Sequence, residues 1–440
     1  MNKRKNNTFF KVLLLQLLLI IVLIPNFMVP LFAVGTINNV EATSYLLVDR
    51  KSEIVLAGEN YDQIRGMASI TKLMSYYIIM TKVKEENIDL DKTIIKVNDD
   101  VVDNISSNSS LSGVFFDYGT KLPLRTMLNL MMVYSDNGAT IAVVEQLFGS
   151  EEEFVELMNQ QVQEWGLKNT KYYNSTGLTM SDYGTMILNG ASKSDYNKST
   201  AKEQLFIANH VINDFPEILD IVSQPYYKYK GENLKSYDLM LDGLEYSYSG
   251  VKGMKTGSSI EAGYCFLGYY VDPTDQHEYL SIVLNSPTTM MRFNDTTHIY
   301  QWAENQEYSM LAKEGTKFKV DIKGSRGGAA NLYTKSDTMV ASESNPQLVK
   351  TGIIYNPEYF NESNYLIKDI PEGEVVASVV YTSAVDDYKV DSLRGTNGQI
   401  LINLTSKKEI KEQGIIGKIK SALIEFLSEV KGVKQWKTIT

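Results

Sequence analysis

The apolar positions of this chain change period several times. Residues 12–24, VLLLQLLLIIVLI, form a short apolar run, interrupted only by Gln16, behind the basic stretch MNKRKNNTFFK. Its length suits the core of an export signal and falls short of the ~20 residues a spanning helix needs. Small residues in AVG (33–35) predict cleavage after Gly35; an uncleaved membrane anchor is the alternative. SYLLVDRKSEIVLAGEN (44–60) predicts two strands around the polar turn DRKS. ITKLMSYYIIMTKV (70–83) has apolar residues at 70, 73, 74, 77 and 78, the helical period, and carries Tyr76, Ile79 and Met80 on its other faces. A helix apolar nearly all round is a buried, central one. LRTMLNLMMVY (124–134) predicts a second apolar helix, ended by SDNGA. Strands return in AGYCFLGYYV (262–271) and EYLSIVLN (278–285), joined by the turn DPTD.

Beyond residues 310–316 the pattern shortens to alternating runs such as KFKVDIKG, QLVKTGIIY, EVVASVVYTS and QILINL, which predict a small all-β domain. The tail GIIGKIKSALIEFLSEVKGVKQWK (414–437) gathers Ile415, Ile416, Ile419, Ala422, Leu423, Phe426, Leu427 and Val430 on one helical face. With eight lysines against four glutamates in residues 407–440, it predicts an amphipathic helix lying on a membrane surface. A helix docked on the β domain is the alternative. The expected organisation is an export signal (1–35), an α/β (α+β) domain with an antiparallel sheet and helices (36–312), a β-rich domain (313–410) and an anchor helix (411–440).

The net charge of −10 argues against nucleic acid as a partner. A single cysteine, Cys265, excludes an internal disulfide and points to a bacterial envelope. The three histidines, His210, His277 and His298, are scattered without metal-ligand spacing, so neither a metal nor another cofactor is expected.

Ser69 and Lys72, in GMASITKLMS, stand three apart and so share a helix face. Burial of that helix, and the positive helix N-terminus, lower the pKa of Lys72 and let a neutral amine take the serine proton. Ser-x-x-Lys alone is weak, since Ser199/Lys202, Ser249/Lys252 and Ser428/Lys431 also fit, but these lie in polar or terminal sequence. Ser135-Asp136-Asn137 follows directly on an apolar helix, which suits a rigid loop. There Ser135 is placed to relay a proton, and Asn137 to hold Lys72 or a substrate amide. Ser106-Ser-Asn108 lies in the polar run NISSNSS and is expected to be plain loop. Lys255-Thr256-Gly257 precedes a strand; a sheet edge binds extended peptide, Lys255 and Thr256 suit its terminal carboxylate, and Gly257 permits close approach. A second Lys-Thr-Gly, at 350–352, falls inside the β domain.

These three elements, in this order, are shared by penicillin-binding proteins and class A β-lactamases. MASITKLMS, YSDNGAT and VKGMKTGSSIEAGYC, with NSTGL (174–178) and MRFNDTTHIYQW (291–302), resemble the D-alanyl-D-alanine carboxypeptidases, or low-molecular-mass penicillin-binding proteins, over about residues 44–310. Met67 stands where that family often has proline, and Ser258 where it often has an aromatic residue. The resemblance implies a serine DD-peptidase/β-lactamase-like fold and a nucleophile at Ser69 with Lys72 as its base. It further implies proton relay by Ser135 and Lys255, and an oxyanion hole from the N–H groups of Ser69 and Ser258. The implied substrate is a peptidoglycan stem peptide ending in D-Ala-D-Ala, with β-lactams as inhibitors, at the outer face of the bacterial cytoplasmic membrane. A β-lactamase is disfavoured because LKNTKYYNSTGL, after Ser135, offers no carboxylate, and Glu156 belongs to an acidic, solvated helix. A transpeptidase or endopeptidase uses the same acyl-enzyme and stays open, as does a catalytically idle peptidoglycan-binding scaffold. Cys265 is expected to be a packed thiol, Arg125 a surface charge and His210 a half-buried helix residue. Arg292 is read as a salt bridge or a distant substrate contact, and YYKYKGENLKSY (226–237) as an exposed loop.

Overall fold

A computed structural model of the chain describes residues 31–32, 34–341, 348–384, 388–394 and 398–414. Most of the predicted signal, residues 1–30, and the tail from 415 onward lie outside the described residues. Strands from both ends of the first unit meet in one sheet. β1 (Ser44–Asp49), β2 (Val55–Glu59), β3 (Val251–Ser259), β4 (Gly263–Val271) and β5 (Glu278–Ser286) pair antiparallel in the order β3-β4-β5-β1-β2. Side chains alternate across a strand, and here both faces are covered. Leu46, Val48, Leu280 and Ile282 join one core with the helices, while Tyr45, Leu47, Tyr279 and Val283 join another with Phe293 and Tyr300. That is why these strands are apolar throughout rather than every second residue.

The longer helices among the described residues are α1 (Lys72–Glu85), α2 (Leu124–Val133), α3 (Asn137–Phe148), α4 (Glu151–Glu164), α5 (Ala201–Asp214) and α6 (Thr289–Glu304). α1 packs against α2, α3, α4 and α5, so its all-round apolar sequence has apolar neighbours on every side. Asp136, Ser150, Thr200 and Thr288 each accept a backbone N–H at a helix start and so fix where α3, α4, α5 and α6 begin. α1 starts later than the period suggests. Ala68–Thr71 forms a tight 3-10 turn before it, with Ala68 at φ 45°. The stretch 226–237 is a hairpin, Tyr226–Tyr229 against Glu232–Lys235, and not an open loop. Lys230 and Gly231 both take positive φ at its turn, and Tyr229 is buried.

The second unit is a further five-stranded antiparallel sheet. Its strands β6 (Lys317–Asp321), β7 (Ala329–Thr334), β8 (Leu348–Tyr355), β9 (Val375–Ser383) and β10 (Gln399–Ser406) run in the order β6-β7-β10-β9-β8. Among the described residues, no helix is long and apolar enough to cross a membrane. A return segment after β9 docks on the first unit. Val55 N donates to Asp391 O at 2.9 Å, Leu393 N to Glu53 O at 2.9 Å, and Lys202 pairs with the Asp391 carboxylate at 2.5 Å. Leu393, 5% exposed, enters the helical core of the first unit.

Burial of Leu393 predicts that Leu393→Ala costs about 2–4 kcal/mol. The expected reading is a lower urea midpoint, while Ile354→Ala, at a position 48% exposed, leaves it nearly unchanged. Equal midpoints would mean that the return segment adds nothing to the core.

Candidate active site

Three segments converge on the turn that carries Ser69. β3 crosses it at Gly257, where a Cβ would lie 2.6 Å from Met67 O. The loop of Asn174–Leu178 crosses it at Gly177, which has φ +87° and where a Cβ would lie 1.9 Å from Ala68 O. Only glycine meets both demands at Gly177. Ser69 itself remains half-buried, with its hydroxyl at the mouth of α1.

Lys72 is fully buried. Its Nζ lies 3.1 Å from Ser69 Oγ and donates to Asn137 Oδ1 and Thr176 O, each at 2.8 Å. An amide oxygen and a carbonyl only accept, so they take two of its N–H bonds. In the neutral amine, the remaining position toward Ser69 is the lone pair. Burial lowers the Lys72 pKa well below its usual range, and the nearby Lys255 lowers it further, while Asp136 and Glu151 act in the opposite sense. The arrangement therefore favours an amine that accepts a proton from a serine hydroxyl.

Ser135 is buried between α2 and α3 in the left-handed region, φ 55°. The next residue explains that sharp turn. Asp136 caps α3 through Ala139 N and also accepts Val114 N, both at 2.8 Å. Burial pushes its carboxyl up to about 6. Asn137 Nδ2 donates to Ser112 O at 2.9 Å, which leaves its Oδ1 aimed at Lys72.

Lys255, Thr256, Gly257 and Ser258 lie on β3, an edge strand of its sheet among the described residues. Lys255 is 2% exposed, and burial together with the Arg292 charge pushes its pKa down to about 7. Arg292, from α6, donates to Ser258 Oγ at 3.0 Å and more distantly to Gly257 O and Cys265 O. Among the described residues it has no ion-pair partner, so the salt-bridge reading fails: this guanidinium braces β3 from behind. Cys265 is buried and its thiol is pushed up to about 11, in keeping with a packed rather than a reactive group.

The other copies of the motifs are dispersed. Lys202 is tied to Asp391, Ser106 Oγ accepts Phe116 N at 2.7 Å, and Lys350 lies on β8. Arg125 forms an exposed pair with Asp91, and His210 stacks on Trp165. A cavity of about 480 Å³ in the second unit, lined by Arg326, Lys407 and Lys408, includes none of the candidate residues. Two participants are not apparent from sequence. The Thr176 carbonyl is a backbone group and leaves no residue-type signal. Glu151 opens the acidic run EEE, whose other members are partly or fully exposed, yet it is itself buried.

A family model described as D-alanyl-D-alanine carboxypeptidase matches residues 32–288. The chain is 28% identical over 265 residues to D-alanyl-D-alanine carboxypeptidase DacA of Haemophilus influenzae, a match covering 60% of this chain and 62% of that one. It is 28% identical over 308 residues to D-alanyl-D-alanine carboxypeptidase DacF of Bacillus subtilis, covering 69% and 73%. Its fold is that of a peptidoglycan synthesis regulatory factor (PBP3) from Streptococcus pneumoniae, with TM-score 0.69, 22% identity, and 85% and 100% of the two chains covered. Penicillin-binding protein 5 from H. influenzae is similar at TM-score 0.61 and 22% identity, with 85% and 98% covered. The expected serine DD-peptidase-like fold, with its antiparallel sheet, helices and β-rich C-terminal part, is thereby borne out.

Since a Cβ at Gly177 meets the Ala68 carbonyl, Gly177→Ala is expected to cost more than about 1 kcal/mol. Differential scanning calorimetry should show a lower Tm for it than for Gly166→Ala, where a Cβ meets open space at a similarly positive φ of +70°.

Proposed function

The chain belongs to the D-alanyl-D-alanine carboxypeptidase family, and from that premise we propose that it removes the terminal D-alanine of peptidoglycan stem peptides through an acyl-enzyme on Ser69. The observation that carries the reading is the dry lysine: Lys72, fully buried, with Ser69 Oγ 3.1 Å from its Nζ. Ser69 Oγ attacks the carbonyl carbon of the last peptide bond, and its proton passes to the Lys72 lone pair. The oxyanion is held by the N–H groups of Ser69 and Ser258, which the close packing at Gly257 keeps in register. Ser135, with Lys255, returns a proton to the departing D-alanine nitrogen. Water then cleaves the ester and regenerates the serine.

The substrate lies as an added strand along the β3 edge. Lys255 and Thr256 hold its terminal carboxylate, with the Arg292 charge behind them. Asn137 acts through Lys72, since both ends of its amide are already engaged. A β-lactam presents the same carbonyl and carboxylate, and acylates Ser69. In the same reading residues 1–35 direct export and residues 36–312 carry the chemistry. The β-rich part, 313–410, is the spacer, and the basic amphipathic stretch of the 411–440 segment tethers it to the outer face of the cytoplasmic membrane.

The decisive assay is release of free D-alanine from an acyl-Lys-D-Ala-D-Ala peptide. The parent is expected to release it and Ser69→Ala to lose the activity, with a penicillin adduct visible by mass in the parent alone. A folded parent that releases none would overturn the assignment. The charges set a second expectation. Neutral Lys72 is the base, so kcat/KM rises with pH on a limb far below 10.5, the ordinary lysine value. Protonated Lys255 holds the carboxylate, so kcat/KM falls as pH passes about 7. Lys255→Arg keeps its charge and should carry the descending limb to higher pH; an unmoved limb would exclude Lys255 as its source.

A further inference from the structure

Of the groups that hold Lys72, Thr176 O alone comes from a loop rather than a helix, so its position depends on what grips the loop. Asn174, Ser175 and Thr176 are all fully buried. Asn174 Oδ1 gathers Thr176 N at 3.1 Å and Gly177 N at 2.7 Å, and Ser75 Oγ, from α1, donates to Ser175 O at 2.6 Å. The strongest grip comes from α4. Glu151 Oε1 accepts Ser175 N at 2.8 Å, Ser175 Oγ at 2.5 Å and Tyr183 OH at 2.8 Å. Tyr183 OH in turn lies 3.0 Å from Thr176 Oγ1. Glu151 therefore reaches the loop twice, directly at Ser175 and through Tyr183 at Thr176. It is the one carboxylate among these contacts; burial raises its pKa, the bonds from Ser175 and Tyr183 oppose that rise, and hydrogen bonds to an ionised acceptor are the strong ones.

Glu151 is poorly explained by stability alone. Its Oε2 is buried without a hydrogen-bond partner, and an unpartnered buried oxygen is costly. From sequence, EEE at a helix start looks like ordinary solvated acid at the positive end of a helix dipole. The structure turns the first of the three inward, beneath the loop that faces Lys72.

We infer that Glu151 is a positioning residue for the acylation step: it fixes the loop that presents Thr176 O to Lys72, and so aims the amine at Ser69. This rests on the carboxypeptidase reading above. Glu151 touches neither Ser69 nor Lys72, and it takes no proton from substrate. The charged and titratable groups around it are Lys72 on α1, Glu145 on α3, Glu152 on α4 and Tyr183 on the turn after the loop, while Asp136 faces Lys72 from another side. Its negative charge favours the protonated form of Lys72, so removal of the charge favours the neutral amine.

The test uses the full chain, with Glu151→Ala and Glu151→Gln, read by D-alanine release and by the rate of penicillin acylation. Glu151→Ala frees the loop, and kcat and the acylation rate are expected to fall about tenfold to a hundredfold. KM changes little, because Lys255 and Thr256 lie on a different element. In Glu151→Gln the amide oxygen accepts the same donors, so most of kcat returns. Its ascending pH limb nevertheless moves down as the charge is lost. A purely structural residue would lower the Tm of both variants and leave kcat and the acylation rate of the folded protein near those of the parent. Acylation within about twofold of the parent in both, with superimposed pH profiles, would overturn the inference. If Glu151→Ala does not fold, Tyr183→Phe takes its place: the hydroxyl that links Glu151 to Thr176 is lost, the acylation rate is expected to fall with KM unchanged, and a rate within about twofold of the parent would overturn the inference. A parent that neither releases D-alanine nor takes up penicillin overturns the carboxypeptidase reading itself, whereas an active parent with indifferent variants overturns only the role of Glu151.

Discussion

An amine kept out of water, with only uncharged groups in hydrogen-bonding contact, is the condition on which the first unit is organised. Lys72 touches a hydroxyl, an amide oxygen and a peptide carbonyl. Had one of these been a carboxylate, the ammonium form would be favoured over the neutral amine. The carboxylates that exist nearby, Asp136 and Glu151, are instead turned toward backbone N–H groups and hydroxyls. α1 supplies the dryness because it is surrounded by other helices. The glycines at 177 and 257 supply the closeness, bringing a loop and an edge strand onto one turn without a side chain between them.

Much of this is legible in the chain because the Ser-x-x-Lys spacing and the burial pattern share a period. The apolar run after Ser69 announces both a central helix and a lysine that must lie at its mouth. The strands β4 and β5 are equally plain, since both of their faces are covered and their sequences are apolar throughout. Other features are hidden for physical reasons. The Thr176 carbonyl is a backbone group, and any residue type has one. Glu151 has the composition of a solvated helix start and the burial of a core residue, and only packing tells these apart. Arg292 reads as one half of an ion pair or a distant substrate contact, yet its Nη1 donates to a hydroxyl and backbone carbonyls of β3 and β4.

The hairpin at 226–237 shows the same limit from the other side. Its tyrosines and lysines suggest an exposed loop, but Lys230 and Gly231 at positive φ close a tight turn that lets the two arms pair. Turn geometry at two residues outweighs the polarity of the ten around them.

The return segment that brings Leu393 into the helical core also orders events in time. A chain that emerges N-terminus first makes Ser69 and the whole of the first sheet long before residue 393 exists. Leu393 can take its place in the helical core only after the strand β9 has been made and the chain has turned back. The last strand of the first sheet ends at Ser286 and its last helix at Glu304, so the place of Leu393 in that core stays empty while the following residues are made. Contacts of such sequence separation slow folding, so the β-rich part acts as the closing piece of the domain that precedes it.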